Sequence, residues 1–236
     1  MINKQKTIGV FGAKGFVGSE ISKYLKYLRY DVIDITRETF ENDMFKEYDY
    51  VINAACSSER WKAKSAPYYD FEESVEKTAQ IFYEAKYKKF IQISSLSARC
   101  QTNTIYGRNR LAAESIVNDG NSLIVRLGSM YGPTLMKGPL IDMINKSTVY
   151  ASSESKYSFS PLSFNADWIA RNLDRTGIYE VGSKNSIKLG DLARKLNLNI
   201  NFIGSIDNQE VMTNEKDYPD VNLVIGFMKE KIRNKN

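Results

Sequence analysis

Four residues in the middle of the chain could together support proton transfer: the hydroxyl groups of Ser94, Ser95 and Tyr106, and the positive charge of Arg110. Tyr106 and Arg110 are four positions apart, so on a helix they would share one face, with the cation beside the phenol. The chain has no histidine, so tyrosine, carboxylate, lysine or serine groups must move any proton. A tyrosine can do so when a nearby positive charge lowers its pKa from about 10. Such a set can supply the proton that accompanies hydride transfer at a carbinol carbon.

Composition excludes several other chemistries. Without histidine there can be no histidine metal site, no Ser-His-Asp triad and no Cys-His pair. The two cysteines, Cys56 and Cys100, have neither the spacing of metal ligands nor the number needed for a disulfide framework. We therefore expect no metal site, and we expect no chemical role for Cys100.

Three glycines follow the first strand-like segment. Gly12, Gly15 and Gly18 are spaced three residues apart, directly after residues 7–11 and at the start of a helical pattern. Glycine at such positions permits a tight turn, close approach of a pyrophosphate and close packing of helix on strand. The helix N-terminus then offers free N–H groups to the phosphates. A strand, a glycine turn and a helix in this order predict a dinucleotide-binding site.

The end of the second strand should distinguish between the two nicotinamide dinucleotides. An acidic residue there binds the adenosine 2′-hydroxyl, whereas a basic residue accommodates a 2′-phosphate. Thr36 and Arg37 stand at the tip of the segment 31–35, which favours NADP(H) over NAD(H). Asp34 lies inside that segment. If Asp34 contacts the ribose instead, the cofactor is NAD(H).

Short apolar runs alternate with helical patterns through the first half of the chain. Strands are predicted at residues 7–11, 31–35, 50–55, 90–93 and 123–127, and helices from residue 17, at 68–85 and at 106–117. Buried strands that alternate with helices indicate a parallel sheet covered on both faces. The predicted fold class is therefore α/β, a doubly wound parallel sheet of the Rossmann type.

The pattern loosens after Met130. Residues 132–164 are rich in glycine, proline and serine, which predicts loops and irregular structure. Further elements are predicted at 178–181 (strand), 189–196 (helix) and 199–203 (strand). We expect a dinucleotide-binding core at 1–131, completed by 160–182, and a small C-terminal substrate-binding lobe at 132–159 and 183–236.

Charge and hydropathy place limits on location and partners. The 236 residues include 33 Lys and Arg against 28 Asp and Glu, and 42% are hydrophobic, which excludes a disordered or collagen-like chain. The basic residues are scattered apart from the tail at 229–235, which argues against a nucleic-acid partner. No apolar run approaches the roughly 18 residues that span a bilayer, and residues 1–7 are polar. We expect a cytoplasmic protein with no membrane partner.

Further motifs follow in order along the chain. They are Asn53-Ala54-Ala55, Ser94-Ser95, Tyr106-Gly107-Arg108-Asn109-Arg110, the segment 125–133 that ends in Tyr131-Gly132-Pro133, and the segment 165–170. Together with the glycine loop they resemble the extended short-chain dehydrogenase/reductases, the family of nucleotide-sugar epimerases, dehydratases and reductases. The tip Ile35-Thr36-Arg37 is most similar to the dTDP-4-dehydrorhamnose reductase branch. The resemblance spans nearly the whole chain, which is shorter than typical members.

The resemblance implies roles for individual residues. Tyr106 would be the acid/base, Ser95 would hold the substrate oxygen, and Arg110 would bind the cofactor ribose and bias Tyr106. Ser94 is the alternative serine, since a shift of one residue would exchange the two. The implied cofactor-binding set is Gly12, Lys14, Gly15, Phe16, Val17, Thr36, Arg37, Asn53, Ala54, Ala55, Tyr106 and Arg110.

Two positions depart from the family pattern. Relatives carry lysine where this chain has Arg110, and arginine cannot join a proton relay because it does not deprotonate. Many relatives carry asparagine where this chain has Ser74. The first departure implies altered, slow or lost activity, and the second changes one contact on the active-site side.

The resemblance implies an NAD(P)(H)-dependent oxidoreductase or epimerase that acts on a nucleotide-activated sugar or a similar carbonyl substrate. Ketoreduction or epimerisation is favoured over dehydration, because Ser95-Leu96-Ser97 lacks the acidic pair of dehydratase relatives. Arg60 and Trp61 are candidate substrate contacts, and a homodimer is implied by analogy. Two alternatives stay open: a non-catalytic NAD(P)-binding regulator or assembly factor, and an RNA-binding relative suggested only by the basic charge.

Overall fold

The computed structural model describes residues 5–235. In chain order its elements are β1 (Thr7–Phe11), α1 (Phe16–Tyr27), β2 (Asp31–Ile35), α2 (Phe40–Asp43), β3 (Glu47–Asn53), α3 (Arg60–Ser65), α4 (Pro67–Phe71), a π-helical turn (Glu72–Glu76), α5 (Lys77–Glu84), β4 (Lys86–Ser95), α6 (Ser97–Cys100), α7 (Ile105–Val117), β5 (Leu123–Leu127), β6 (Met130–Tyr131), α8 (Pro139–Ile144), β7 (Lys156–Tyr157), β8 (Ser160–Pro161), α9 (Leu162–Arg171), β9 (Gly177–Val181), β10 (Ile187–Lys188), α10 (Leu189–Lys195) and α11 (Leu223–Arg233).

The main sheet confirms the predicted α/β class. It has six strands in the order β2-β1-β3-β4-β5-β9, and β1 pairs in parallel with both β2 and β3. The chain runs to one side of β1 to form β2 and returns to the other side to form β3. In doubly wound sheets the ligand crevice lies beyond the carboxyl ends of the strands at such a reversal. The glycine loop after β1 and the Asn53-Ala54-Ala55 segment after β3 lie at this point.

Two strands begin earlier than the sequence predicted. β3 starts at Glu47 and β4 at Lys86, and these residues are register partners in a parallel ladder. Charged residues alternate along both beginnings, and Lys88 pairs with Asp49 at 2.7 Å. The prediction relied on apolar runs and therefore missed strand ends whose outward side chains carry paired charges.

The predicted helix at 68–85 is divided into three parts. Pro67 occupies the first turn of α4, the π-helical turn follows, and α5 completes the segment. Ser74 lies within the π-helical turn and is fully buried. Apolar spacing alone does not distinguish a π turn from an α-helix, since both bury one face.

The chain forms two compact units. One comprises the chain up to Arg126 together with Ala166–Tyr179, and the other comprises Leu127–Asn165 and Glu180–Asn236. The first unit has a hydrophobic core between sheet and helices that includes Phe11, Ile35, Met44, Tyr48, Val51, Ile81, Phe90, Val117 and Ile124. The second unit has its own core, which includes Leu140, Met143, Phe159, Leu189, Leu192, Val224 and Met228.

The second unit corrects three sequence predictions. The stretch 132–164 contains helix α8, because Pro139 occupies a first-turn position where proline is well tolerated. No helix was predicted near the C-terminus, but α11 forms there; its Val224 and Met228 are buried, whereas Lys229, Arg233 and Lys235 are exposed. Residues 199–203 form only a single bridge, between Phe202 and Val149, in place of the predicted strand.

Within residues 5–235 no helix is long and apolar enough to cross a membrane. The same residues contain no cluster of acidic side chains and cysteines able to hold a metal ion. The polar segment 1–7, on which the expected location partly rests, lies mostly outside the described residues.

Candidate active site

The glycine loop leaves no room for side chains at two of its three glycines. Gly12 has a φ of +78°, and a Cβ there would lie 2.7 Å from the carbonyl carbon of Ala54. A Cβ on Gly18 would lie 2.3 Å from the Gly12 oxygen. Non-glycine residues rarely adopt such a φ, and no real Cβ approaches backbone this closely. The predicted turn and the close packing of helix on strand are both present.

Helix α1 begins beside this turn with an open N-terminus. Its N-cap is Gly15, which provides no side-chain cap, and its first turn carries no acidic residue. Phe16 and Val17, the first two helical residues, are half-buried. The first N–H groups of a helix have no partners within it, and its dipole favours negative charge. The loop can therefore receive a phosphate group.

The tip of β2 carries two ion pairs. Lys14 of the glycine loop reaches Glu38 at 3.1 Å, and the Thr36 hydroxyl donates to the same carboxylate at 2.5 Å. Arg37 extends toward Glu73 at 3.4 Å. The hydrogen bond from Thr36, a backbone N–H and Lys14 lower the pKa of Glu38 to about 2. Glu38, the residue after Arg37, was not considered when the sequence was taken to favour NADP(H), and its carboxylate pairs with Lys14.

Asp34 makes its contacts with helix α1. Its carboxylate accepts hydrogen bonds from the Ser22 hydroxyl and the Lys26 ammonium group. Both donors lie on α1, which packs beside β2. Through these contacts Asp34 links strand β2 to helix α1.

The Asn53 side chain is buried at the end of β3. It is 1% exposed, and its amide nitrogen donates to Thr78 at 3.1 Å and Gln92 at 3.0 Å. Its oxygen accepts from the backbone N–H of Ala55 at 3.1 Å. The Asn53 side chain therefore fixes the turn that follows β3. This turn places the backbone of Ala54 and Ala55 next to Gly12.

The two adjacent serines at the end of β4 face different surroundings. The buried Ser94 hydroxyl donates to Glu114 at 2.5 Å. The Ser95 hydroxyl is half-buried; it donates to Ser97 Oγ at 3.3 Å and accepts from the Ser97 backbone N–H at 3.2 Å. Successive side chains of a strand point to opposite faces, so only one serine can face a site on a given side.

Tyr106 and Arg110 are brought together on helix α7, as their spacing predicts. The Arg110 guanidinium carbon lies 4.8 Å from the centre of the Tyr106 ring, and Arg60 approaches the same ring at 5.8 Å. Arg110 is 4% exposed. Burial alone would lower the pKa of Arg110, but the neighbouring Tyr106 and Cys56 raise it above its ordinary value. The positive charge beside the ring is therefore permanent.

Helix α7 is placed by residues that the sequence reasoning did not single out. Thr104 caps it by accepting from the Gly107 N–H at 3.0 Å. A Cβ on Gly107 would lie 2.0 Å from the Gln101 oxygen and 2.7 Å from the Ser97 oxygen. Gly107 thus lets α7 approach α6, which directly follows Ser95. The sequence signal for this close approach was a glycine within a predicted helix, since glycine there lowers stability by about 1 kcal/mol relative to alanine.

A buried ion pair supports the same helix from behind. Glu114, four residues beyond Arg110, receives hydrogen bonds from Arg126 of β5 at 2.6, 3.0 and 3.1 Å. Through Ser94 it also contacts β4. The signal in the sequence was a carboxylate at a position that continues the Tyr106–Arg110 face of α7.

The comparisons with known proteins agree with this architecture. The model of the NAD dependent epimerase/dehydratase family matches residues 8–169. A search of the curated proteins found no match.

Among solved structures, several share the fold over nearly the whole chain. A dTDP-4-dehydrorhamnose reductase from Bacillus anthracis, in complex with NADP, has a TM-score of 0.77 at 14% identity, covering 96% of this chain and 98% of that one. A UDP-glucuronic acid 4-epimerase from Bacillus cereus has a TM-score of 0.77 at 17% identity, covering 98% and 100%. An NAD-dependent NDP-hexosamine 5,6-dehydratase involved in tunicamycin biosynthesis has a TM-score of 0.81 at 13% identity, covering 98% and 99%.

Proposed function

Because the chain belongs to the NAD dependent epimerase/dehydratase family, we propose that it is an NAD(P)(H)-dependent enzyme that reduces or epimerises a nucleotide-activated sugar. The three structural neighbours named above act on nucleoside-diphosphate sugars. The observation that carries the proposal is the pairing of Tyr106 with a permanently charged Arg110 on α7, one short helix after Ser95. The glycine turn and the uncapped N-terminus of α1 beside it support a dinucleotide at this point.

Each residue has a defined task in the proposed reaction. A bound nicotinamide ring supplies or accepts the hydride. Tyr106 gives its phenolic proton to the carbonyl oxygen during reduction, or takes the proton of the carbinol during oxidation. Ser95 donates a hydrogen bond that orients this oxygen. Arg110 stabilises negative charge on Tyr106 and can donate to the ribose through Nε, which is buried and has no hydrogen-bond partner within residues 5–235.

For the cofactor, we propose NADP(H) in preference to NAD(H). Lys14 and Arg37 supply two cations at the β2 tip, where an adenosine 2′-phosphate binds in this type of fold. Asp34 already binds two donors on α1 and is a poor candidate for the ribose. Glu38 reduces the preference for NADP(H), because its carboxylate accepts a hydrogen bond from Lys14.

Thermal unfolding with NADPH, NADH or AMP as a matched nucleotide control tests this proposal first. A ligand at 100 times its dissociation constant should stabilise the folded state by about 2.7 kcal/mol. We expect a clear shift with NADPH, a smaller one with NADH and none with AMP. UDP- and dTDP-linked 4-ketosugars are then offered with NADPH, and reduction is followed at 340 nm; the corresponding 4-hydroxy sugar nucleotides are offered with NADP⁺ or NAD⁺, and epimerisation is followed by analysis of the product.

Two outcomes would change the proposal. Stabilisation by NADPH without reduction or epimerisation of any nucleotide sugar would favour a non-catalytic NAD(P)-binding regulator or assembly factor. No stabilisation by NADPH, NADH or their oxidised forms would contradict the dinucleotide site itself.

A further inference from the structure

The segment that joins β3 to α3, residues 54–59, leads into a helix that depends on contacts with other elements for its stability. Helix α3 has six residues, no side-chain hydrogen bond at its N-cap, and a single buried residue, Ala63. Helices this short are unstable alone in water, because nucleation is unfavourable and few backbone hydrogen bonds follow. Contacts from elsewhere in the first unit must therefore hold residues 54–65.

Arg110 provides such a contact. Its Nη2 group donates a hydrogen bond to the backbone carbonyl of Ser57, and its guanidinium also interacts with the Cys56 thiol. Both partners belong to the segment 54–59, whereas Arg110 belongs to α7. The bond spans 53 positions of sequence, so it fastens two parts of the fold that are remote along the chain.

We infer that Arg110 is a positioning residue that fastens the segment 54–59 to helix α7 beside Tyr106. The same guanidinium packs against the Tyr106 ring while it holds Ser57. The segment 54–59, held in this way, places the guanidinium carbon of Arg60 5.8 Å from the centre of the Tyr106 ring. One side chain thereby sets both the position of the loop and the surroundings of the phenol.

Arginine suits this role, and lysine does not. A guanidinium is planar, so it can pack on a ring and donate sideways from its edge at the same time. A lysine ammonium group is a point charge on a flexible stem, which keeps the charge but not the two fixed directions. The replacement of the family lysine by Arg110 therefore adds attachment of the segment 54–59 to the charge beside Tyr106.

The test is amide hydrogen exchange of the ligand-free protein, read in a peptide that covers residues 55–66. In wild type the N–H groups of Lys62, Ala63 and Ala66 are hydrogen-bonded within and around α3. We expect Arg110→Lys to exchange these amides at least tenfold faster. Arg108→Lys is the matched control, because Arg108 is an exposed residue of the same helix, and it should stay within twofold of wild type.

A folded Arg110→Lys protein with wild-type exchange over 55–66 would overturn the inference. If that variant does not fold, Arg110→Met keeps the buried apolar stem and removes the guanidinium that donates to Ser57. At least tenfold faster exchange in Arg110→Met supports the attachment, and exchange equal to wild type contradicts it. Neither readout needs substrate or cofactor, so a failure here is independent of the proposed function.

A kinetic readout separates positioning from general loss of structure. With NADPH and a turned-over ketosugar, Arg110→Lys should lower kcat about tenfold and leave the dissociation constant of NADPH within threefold. Arg110→Gln should weaken both, because it also removes the charge. Equal loss of kcat and cofactor binding in Arg110→Lys would assign the residue to the ribose alone.

Discussion

The first unit has ion pairs in two regions, the β2 tip and helix α7, and these pairs differ in their exposure to solvent. At the β2 tip, the Lys14 and Glu38 side chains are 74% and 69% exposed. On α7, the Glu114 side chain is 3% exposed and that of its partner Arg126 is 13% exposed. Exposed pairs contribute roughly 0–1 kcal/mol, whereas removal of one partner of a buried pair costs about 3–5 kcal/mol. The side chains at the β2 tip can therefore rearrange, whereas α7 is held at a fixed position.

The largest effect should come from the fixed region. Tyr106→Phe keeps the ring beside Arg110 but removes the hydroxyl that would carry the proton. We expect kcat to fall by about 10²–10⁴, the usual contribution of general acid–base catalysis, with cofactor affinity unchanged. Steady-state kinetics with NADPH and a ketosugar measure it, and Tyr68→Phe, at an exposed tyrosine, is the control. Turnover by Tyr106→Phe at the wild-type rate would remove Tyr106 from the mechanism.

The next effect tests the support behind α7. Glu114→Ala leaves Arg126 buried without its carboxylate and leaves Ser94 without its acceptor. We expect a loss of about 3–5 kcal/mol in the free energy of unfolding, measured with urea. Glu38→Ala, at the exposed pair, should change the same quantity far less, because solvent screens that pair. Equal losses in the two variants would remove the contrast between the regions.

The glycine loop lies between these extremes. Gly18→Ala places a methyl group 2.3 Å from the Gly12 oxygen, so the backbone must shift. We expect a loss of about 1–3 kcal/mol in stability and weaker binding of NADPH. Gly226→Ala is the control, because its Cβ would meet nothing within 4 Å. That helical substitution should stabilise the protein by about 0.5–1 kcal/mol, and a stabilising Gly18→Ala would contradict the packing described here.

The smallest effect should come from the β2 tip. Glu38→Gln removes the charge that holds Lys14 while it keeps the shape and the hydrogen bond from Thr36. We expect the ratio of NADPH to NADH affinity to rise by about two- to fivefold, in keeping with roughly 0–1 kcal/mol for an exposed pair. Titration at low and high salt measures the ratio, which should converge with wild type as salt screens the charges. A fall in the ratio would give Glu38 a direct role in NADPH binding.

The sequence predicted the sheet and the glycine loop because both depend on local signals. Apolar runs of strand length, the glycine spacing and the i, i+4 pair Tyr106–Arg110 are readable from neighbouring residues. The first residues of β3 and β4 were missed because they include charged side chains, with Lys88 paired to Asp49 across the two strands, and apolar periodicity does not detect such pairs. Helix α11 was missed because its basic residues mask a buried face formed by Val224 and Met228.

By itself, the sequence determined the α/β class, the glycine turn after β1 and the family, each through residue types at fixed spacing. Only the tertiary structure decided which neighbour each charge meets. It turned Asp34 toward α1 and Ser94 toward Glu114, and it carried the Arg110 guanidinium to Ser57. These partners are 12, 20 and 53 positions away along the chain. Such pairings depend on how strands and helices pack, and local spacing carries no information about them.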